Sequence, residues 1–265
     1  MAYEALLAGR PSRHQPDFSD RCLTFSRSYT VDLTHRCVRR CGYCEYRADR
    51  GGLVGLEEVD TQLEEARRRG CREVLVMSGE QPWRLPDLGL GGEGDFVELV
   101  VEVCRRAMRL GLLPHTNVGL LERASLVRLK PFNPSMGLML ESATDRIPAH
   151  AMGGGKRFQE RLRHLEDAGE LGIAFTTGIL VGIGEGESDR RTALEAIAAS
   201  HRRHHHVQEV IVQNFVAKPG TPMAGRPEPS AAEMVRTVAL AREVLPDSIT
   251  IQVPPNLNFD AWGEL

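Results

Sequence analysis

The chain has 265 residues and carries 33 Lys plus Arg against 36 Asp plus Glu, a formal net charge of -3. That balance supplies no general electrostatic drive toward nucleic acid or an anionic membrane. The first thirty residues mix Arg, His, Pro and Asp without a continuous apolar run, which argues against a signal peptide or transmembrane segment and predicts a cytoplasmic protein. In that reducing compartment six cysteines stay thiols, so a tight cluster among them reads as a metal or catalytic site. Cys22, Cys71 and Cys104 lie far apart and read as free thiols.

Residues 1–27 read as an extension ahead of the fold. A first strand is predicted at 28–34 ("SYTVDLT"), and "CVRRCGYC" follows it directly, placing Cys37, Cys41 and Cys44 within eight residues. A helix at 56–70, with apolar residues at helical spacing and a closing Gly, leads to a strand at 73–79. The Gly-rich "LPDLGLGGEGD" at 85–95 reads as a mobile loop on the active face, before a helix at 95–111. Strands follow at 112–117 and 135–142, then a helix at 156–172 and a strand at 173–184. "HRRHHHV" (201–207) tempts a metal reading, but it ends a helix and is expected to be a solvated, cationic helix end. A strand at 207–215, a Pro-bearing loop after Lys218, a helix at 230–245 and a strand at 248–255 complete the order.

Strand–helix alternation at this rhythm implies a parallel sheet of the α/β class. No early "GxGxxG" turn follows the first strand, so a TIM-type (βα) barrel, partial or nearly complete, is expected in preference to a dinucleotide-binding sheet. One domain is expected, with a barrel core at 28–257 and a short tail at 258–265. Active sites of such barrels lie at the C-terminal strand ends. The cysteine loop, Glu80, Asn117 and Glu141 all fall there, although each residue type also serves as a turn or cap.

Zinc sites ordinarily draw on two ligand pairs, and no second pair lies downstream. A four-iron four-sulfur (4Fe-4S) cluster takes one ligand per iron, so three cysteines leave one iron open for a non-protein ligand. An oxidation-prone zinc loop or an electron-transfer cluster is the alternative.

The cysteine spacing and its place after the first strand resemble the radical S-adenosylmethionine (SAM) superfamily. The resemblance implies that the open iron chelates SAM and that SAM is cleaved to a 5'-deoxyadenosyl radical. It further implies that Tyr43 lies near the adenine and that Ser78, Gly79 and Glu80 ("SGEQP") receive the SAM ammonium. Glu141 and Ser142 would bind ribose hydroxyls or the SAM carboxylate, and Gly178 and Gly182 would let backbone approach the adenine. Arg161 would pair with the SAM carboxylate, a surface arginine being the alternative.

"DLTHRCVRRCGYCEYR", "EVLVMSGEQPW", "GLLPHTN", "SMGLMLES", "FTTGILVGIGE" and "VQEVIVQNFVAKPGTPM", in that order, resemble the 7,8-didemethyl-8-hydroxy-5-deazariboflavin synthase family. What this implies is a lyase reaction that closes a ring. A partner radical SAM transferase joins a tyrosine-derived hydroxybenzyl group to a ribitylaminouracil; hydrogen abstraction from that adduct, ring closure, oxidation and ammonia loss then yield the deazaflavin, with a low-potential electron donor feeding the cluster. Candidates for the uracil and ribityl groups are His115, Thr116, Asn117, Gln213, Asn214, Lys218, Gln252 and Asn256, some of which would instead satisfy backbone groups. Members of that family continue past the "QVPPNL" strand, so the "NFDAWGEL" that ends this chain is expected to be a shortened form.

Overall fold

In the computed structural model, which describes residues 26–150 and 155–254, the alternation becomes one seven-stranded sheet in strict chain order. The strands are β1 (Ser28–Asp32), β2 (Glu73–Met77), β3 (Leu113–Asn117), β4 (Ser135–Gly137), β5 (Phe175–Val181), β6 (Val207–Asn214) and β7 (Thr250–Gln252). Every neighbouring pair is parallel. Parallel neighbours need crossover connections, and helices α1 (Leu56–Arg68), α2 (Glu93–Arg109), α3 (Arg123–Leu129), α4 (Phe158–Glu170), α5 (Glu187–His204) and α6 (Ala231–Val244) supply them. This is the expected α/β architecture with a barrel-type core. Cys22, Asn256 and the tail at 258–265 lie outside the described residues. Among the described residues no helix is long and apolar enough to cross a membrane.

Side chains alternate across a strand, and the phase of that alternation sets which residues face the core. Val31, Val74, Val76, Val210 and Val212 point outward and are fully buried against helix residues such as Val59, Leu63, Phe96 and Val100. Their neighbours Asp32, Glu73, His115, Asn117 and Gln213 therefore point into the barrel interior. Helix starts follow local chemistry: Ser230 caps α6, its hydroxyl accepting the Glu233 N–H at 3.2 Å.

Several strands are shorter than their sequence runs. β4 stops at Gly137, and the chain rejoins the sheet only at Glu141, which takes φ 70° and bridges Ile179. Gly182 and Gly184, at φ 94° and 108°, turn the chain out of β5. The Gly-rich stretch is largely ordered into secondary structure, since Pro86–Leu88 forms a 3-10 turn and α2 begins at Glu93. The helix α3 had no clear sequence signal.

The histidine-rich segment departs from its expectation. Arg202 and Arg203 are exposed, but His201 and His206 are buried. His201 meets the Ser248 hydroxyl at 3.0 Å, and His206 meets the Leu165 carbonyl at 3.0 Å. Burial lowers both imidazole pKa values, His206 to about 4, so these rings pack as neutral groups under the sheet.

Candidate functional site

The cysteine loop is laced to the end of β2 by backbone hydrogen bonds. Gly79 N donates to Thr34 O at 2.8 Å, and Val38 N donates to Glu80 O at 3.1 Å. The two backbones come so close that a Cβ on residue 79 would lie 2.1 Å from the Arg36 carbonyl oxygen and 2.7 Å from Cys37 Cβ. Only glycine fits there. The loop's far side is held by Gly42, whose N–H donates to Ala149 O at 2.7 Å and whose carbonyl accepts from Met223 N at 3.0 Å. The loop, which follows β1, is thus pinned to segments that follow β2, β4 and β6.

Cys37, Cys41 and Cys44 are free thiols, each partly exposed. Cys37 Sγ accepts backbone N–H groups from Arg39 at 3.3 Å and Glu80 at 3.2 Å. Hydrogen bonds to sulfur of this kind stabilise a metal-bound thiolate. Burial raises the thiol pKa of Cys37 and Cys41, a cost that metal ligation reverses by deprotonating the sulfur. Among the described residues no group of three His, Cys, Asp or Glu converges on a single metal ion. A cubane cluster asks for something different, one thiolate on each of three irons, and the donor set of three soft thiols fits it.

Beside the loop lies a buried set of charges assembled from distant segments. Glu80 receives Arg39 Nε at 2.6 Å on one oxygen and Arg161 Nη1 at 2.9 Å on the other. Burial pushes the Glu80 carboxyl up, but Arg161, Lys156 and Arg39 outweigh it and hold the pKa at about 2. Glu141, also buried, is paired with Lys156. Its pKa is lowered because Lys156 and Arg161 outweigh the effect of burial. Lys156 Nζ also donates to the Tyr43 hydroxyl at 3.1 Å, and that hydroxyl lies 3.1 Å from His150 Nε2. The Lys156 ammonium stands 5.6 Å from the centre of the Tyr43 ring. Ile147, Leu180, Ile183 and Phe215 form an apolar wall against Tyr43.

Of the residues expected at the SAM site, Tyr43, Glu80, Glu141 and Arg161 are brought together here. Arg161 is buried, not a surface residue, and it is committed to Glu80 and the Met139 carbonyl. Ser78 Oγ donates to Gly79 O at 2.8 Å, and Ser142 Oγ accepts Thr144 N at 3.4 Å. The close approach at Gly178 is to the neighbouring strand, since a Cβ there would lie 2.2 Å from Ile211 O. At Gly182 a Cβ would lie 2.8 Å from Pro229. Sequence reasoning missed Arg39, His150 and Lys156; Arg39 sits within the cysteine motif itself, but no spacing rule marks the other two.

The substrate candidates divide by strand phase. Asn117, Gln213 and Gln252 face the interior, and none has a side-chain hydrogen bond among the described residues. His115 faces it too, with Nδ1 2.7 Å from Ser135 Oγ, and burial lowers its pKa to about 4. Thr116 is a correction: it points outward, buried against Cys104, and donates to Asn133 Oδ1 at 2.5 Å. Asn214 is another, since it shares the outward face of Val210 and Val212 and is buried. Lys218 is directed to the cysteine loop, where Nζ pairs with Glu45 at 3.3 Å. Lower in the interior stand Glu73 and Glu209, both with carboxyl pKa values raised first by burial, Glu209 also by the charge of Glu73.

Comparison with known proteins matches residues 31–197 to the Radical SAM superfamily. A 7,8-didemethyl-8-hydroxy-5-deazariboflavin synthase of Methanococcoides burtonii is 46% identical over 243 residues, covering 89% of this chain and 73% of the relative. Its counterpart from Archaeoglobus fulgidus is 43% identical over 248 residues, covering 91% and 75%. Among solved structures, the FeFe-hydrogenase maturase HydG of Carboxydothermus hydrogenoformans superimposes with TM-score 0.69 at 18% identity, covering 88% of this chain and 55% of its own. Methylornithine synthase does so with TM-score 0.65 at 22% identity, covering 84% and 63%. At those identities the structural likeness speaks for the fold alone.

Proposed function

The chain belongs to the radical SAM superfamily and, within it, to the 7,8-didemethyl-8-hydroxy-5-deazariboflavin synthase family, and from that premise we propose that it closes the deazaflavin ring as a carbon–nitrogen lyase. Its place is deazaflavin biosynthesis, and its substrate is the adduct of a hydroxybenzyl group with a ribitylaminouracil. The observation that carries the reading is the three-thiol loop held against a buried carboxylate–arginine set at the C-terminal ends of the strands.

Cys37, Cys41 and Cys44 would each bind one iron of a 4Fe-4S cluster, leaving the fourth iron to SAM. When bound, cluster and SAM together supply a reducing electron and a 5'-deoxyadenosyl radical. The protein's own work is to bind, orient and exclude. Arg39 and Arg161 keep Glu80 ionised, so its carboxylate stays an acceptor for the SAM ammonium. Lys156 fixes Glu141 and Tyr43 relative to each other, which sets the ribose and adenine ends of the nucleoside. The apolar wall of Leu180, Ile183 and Phe215 keeps water from a carbon radical. Asn117, Gln213 and Gln252, whose amide groups make no hydrogen bond among the described residues, offer the paired donors and acceptors that a uracil and a hydroxylated chain require. A partner radical SAM transferase would make the adduct, and a low-potential donor would deliver the electron.

The test is anaerobic reconstitution followed by reaction with the adduct. Iron and sulfide in the protein, 5'-deoxyadenosine and a fluorescent deazaflavin are expected together. SAM cleavage without deazaflavin would refute the ring-closing assignment, and zinc without sulfide would overturn the cluster.

A further inference from the structure

We propose that Glu209, together with Gln213 and Gln252, forms the wall of the barrel interior that holds the open polyhydroxylated chain of the substrate. The proposal rests on the function given above and deepens it by placing one end of the substrate.

Glu209 lies on β6 in phase with Ile211 and Gln213, opposite to the buried Val210 and Val212, so it faces the interior. Gln252 is the register partner of Ile211 on β7, which sets it between Glu209 and Gln213. None of these three side chains has a hydrogen bond or ion pair among the described residues. Half-buried polar groups ordinarily spend their hydrogen-bonding capacity within the protein, and a carboxylate without a partner is the costliest to leave so. Glu209 also feels the charge of Glu73, which lies on a strand four places away in the sheet, so the two carboxylates meet only across the interior. Among the described residues no Lys or Arg pairs with either; Glu73 has the Ser26 hydroxyl at 2.9 Å and His115 Nδ1 at 3.8 Å.

A chain of hydroxyl groups suits this wall. Each hydroxyl both donates and accepts, so it can give its hydrogen to the carboxylate and take one from an amide. Glu209 and Gln213 are four residues apart, roughly 13 Å at ~3.3 Å per residue. A five-carbon chain of ~1.5 Å bonds spans at most about 6 Å, close to the two-residue step from Glu209 to the level of Gln252, so Gln213 meets the ring-proximal end of the chain and the pyrimidine ring above it reaches toward Asn117 and the cysteine loop.

The experiment compares wild type, Glu209→Gln and Glu209→Leu with two substrates: the hydroxylated adduct and an adduct whose chain is an alkyl group of equal length. KM and kcat are measured for each, with binding by equilibrium dialysis in the absence of SAM. Expected for Glu209→Leu is a rise of about 10-fold in KM and in the dialysis Kd for the hydroxylated adduct, with kcat little changed and the alkyl adduct unaffected. Glu209→Gln should fall between, and it serves as the test if the leucine variant does not fold. Equal losses for both substrates, or no change for either, would overturn the proposal. The two readings fail differently: dialysis reports the chain-binding wall even where no deazaflavin is formed, whereas absence of deazaflavin with wild type counts against the ring-closing function.

Discussion

Replacing Gly79 with alanine tests the link between local backbone packing and cluster binding. The new Cβ would stand 2.1 Å from the Arg36 carbonyl and 2.7 Å from Cys37 Cβ, where real contacts essentially never fall below 3.0 Å. Both neighbours belong to the cysteine loop, and the nearest is backbone, so no side-chain rotation relieves the clash. The loop must retreat by about 0.9 Å from the end of β2, which strains the Glu80 N–H to Cys37 Sγ contact now at 3.2 Å. Overpacking of this kind costs about 3 kcal/mol, the upper part of the usual range, because backbone has to move. A misplacement near 1 Å at a reacting centre costs on the order of 100-fold in rate. Urea unfolding of the cluster-free protein should therefore show a loss of about 3 kcal/mol. Iron and sulfide after reconstitution should fall, and SAM cleavage should drop about 100-fold. Gly52→Ala is the control, since a Cβ there meets nothing within 4 Å. If Gly79→Ala matched Gly52→Ala in unfolding midpoint and iron content, the argument that this glycine seats the cysteine loop would be wrong.

Glu80→Gln leaves the buried Arg161 facing an amide and should cost about 3 to 5 kcal/mol in urea unfolding; a loss under about 1 kcal/mol would contradict the ion-pair account. SAM affinity should weaken in the same variant before iron content changes. Lys156→Met should raise the SAM Kd about 10-fold by freeing Glu141 and Tyr43, and an unaltered Kd in dialysis would remove Lys156 from the site. Burial holds His115 at about 4, below its ordinary 6.5, so the native state binds fewer protons and this contribution to stability is present above pH 6.5 and lost as pH falls toward 4. It amounts to about 3 kcal/mol, and His115→Gln should flatten the fall in unfolding free energy between pH 6.5 and 4; an identical slope would count against it. Alanine at Cys37, Cys41 or Cys44 should each abolish SAM cleavage, measured as 5'-deoxyadenosine released.

The architecture and the cysteine site were legible because their signals are local. The spacing of Cys37, Cys41 and Cys44 needs only eight consecutive residues, and the valine runs at β2 and β6 announce buried strands without knowledge of their partners. Boundaries were less legible. The run ending in "MLES" continues as a strand pattern, yet the backbone leaves the ladder after Gly137 and turns through a positive φ at Glu141, for which no residue type there gives warning. The histidines at 201–206 misled for a related reason: their residue types suggest solvent, while the depth at which β6 starts buries two of them.

The sequence by itself placed three thiols within eight residues after the first strand, since residue identity and spacing are properties of one short segment. It also placed Asn117 at the end of a strand and Glu80 and Glu141 in the segments that follow one, because β-α alternation brings them to that face. Only the tertiary structure decided which polar side chains face inward. Thr116 and Asn117 are neighbours of similar chemistry, but alternation turns one against Cys104 and the other into the barrel, and the phase is set by pairing with β2. The charge set around Glu80 belongs to the same category. Arg39, Lys156 and Arg161 are separated by up to 122 positions in the chain, and their electrostatic coupling exists only once parallel strands carry their loops to one end of the barrel.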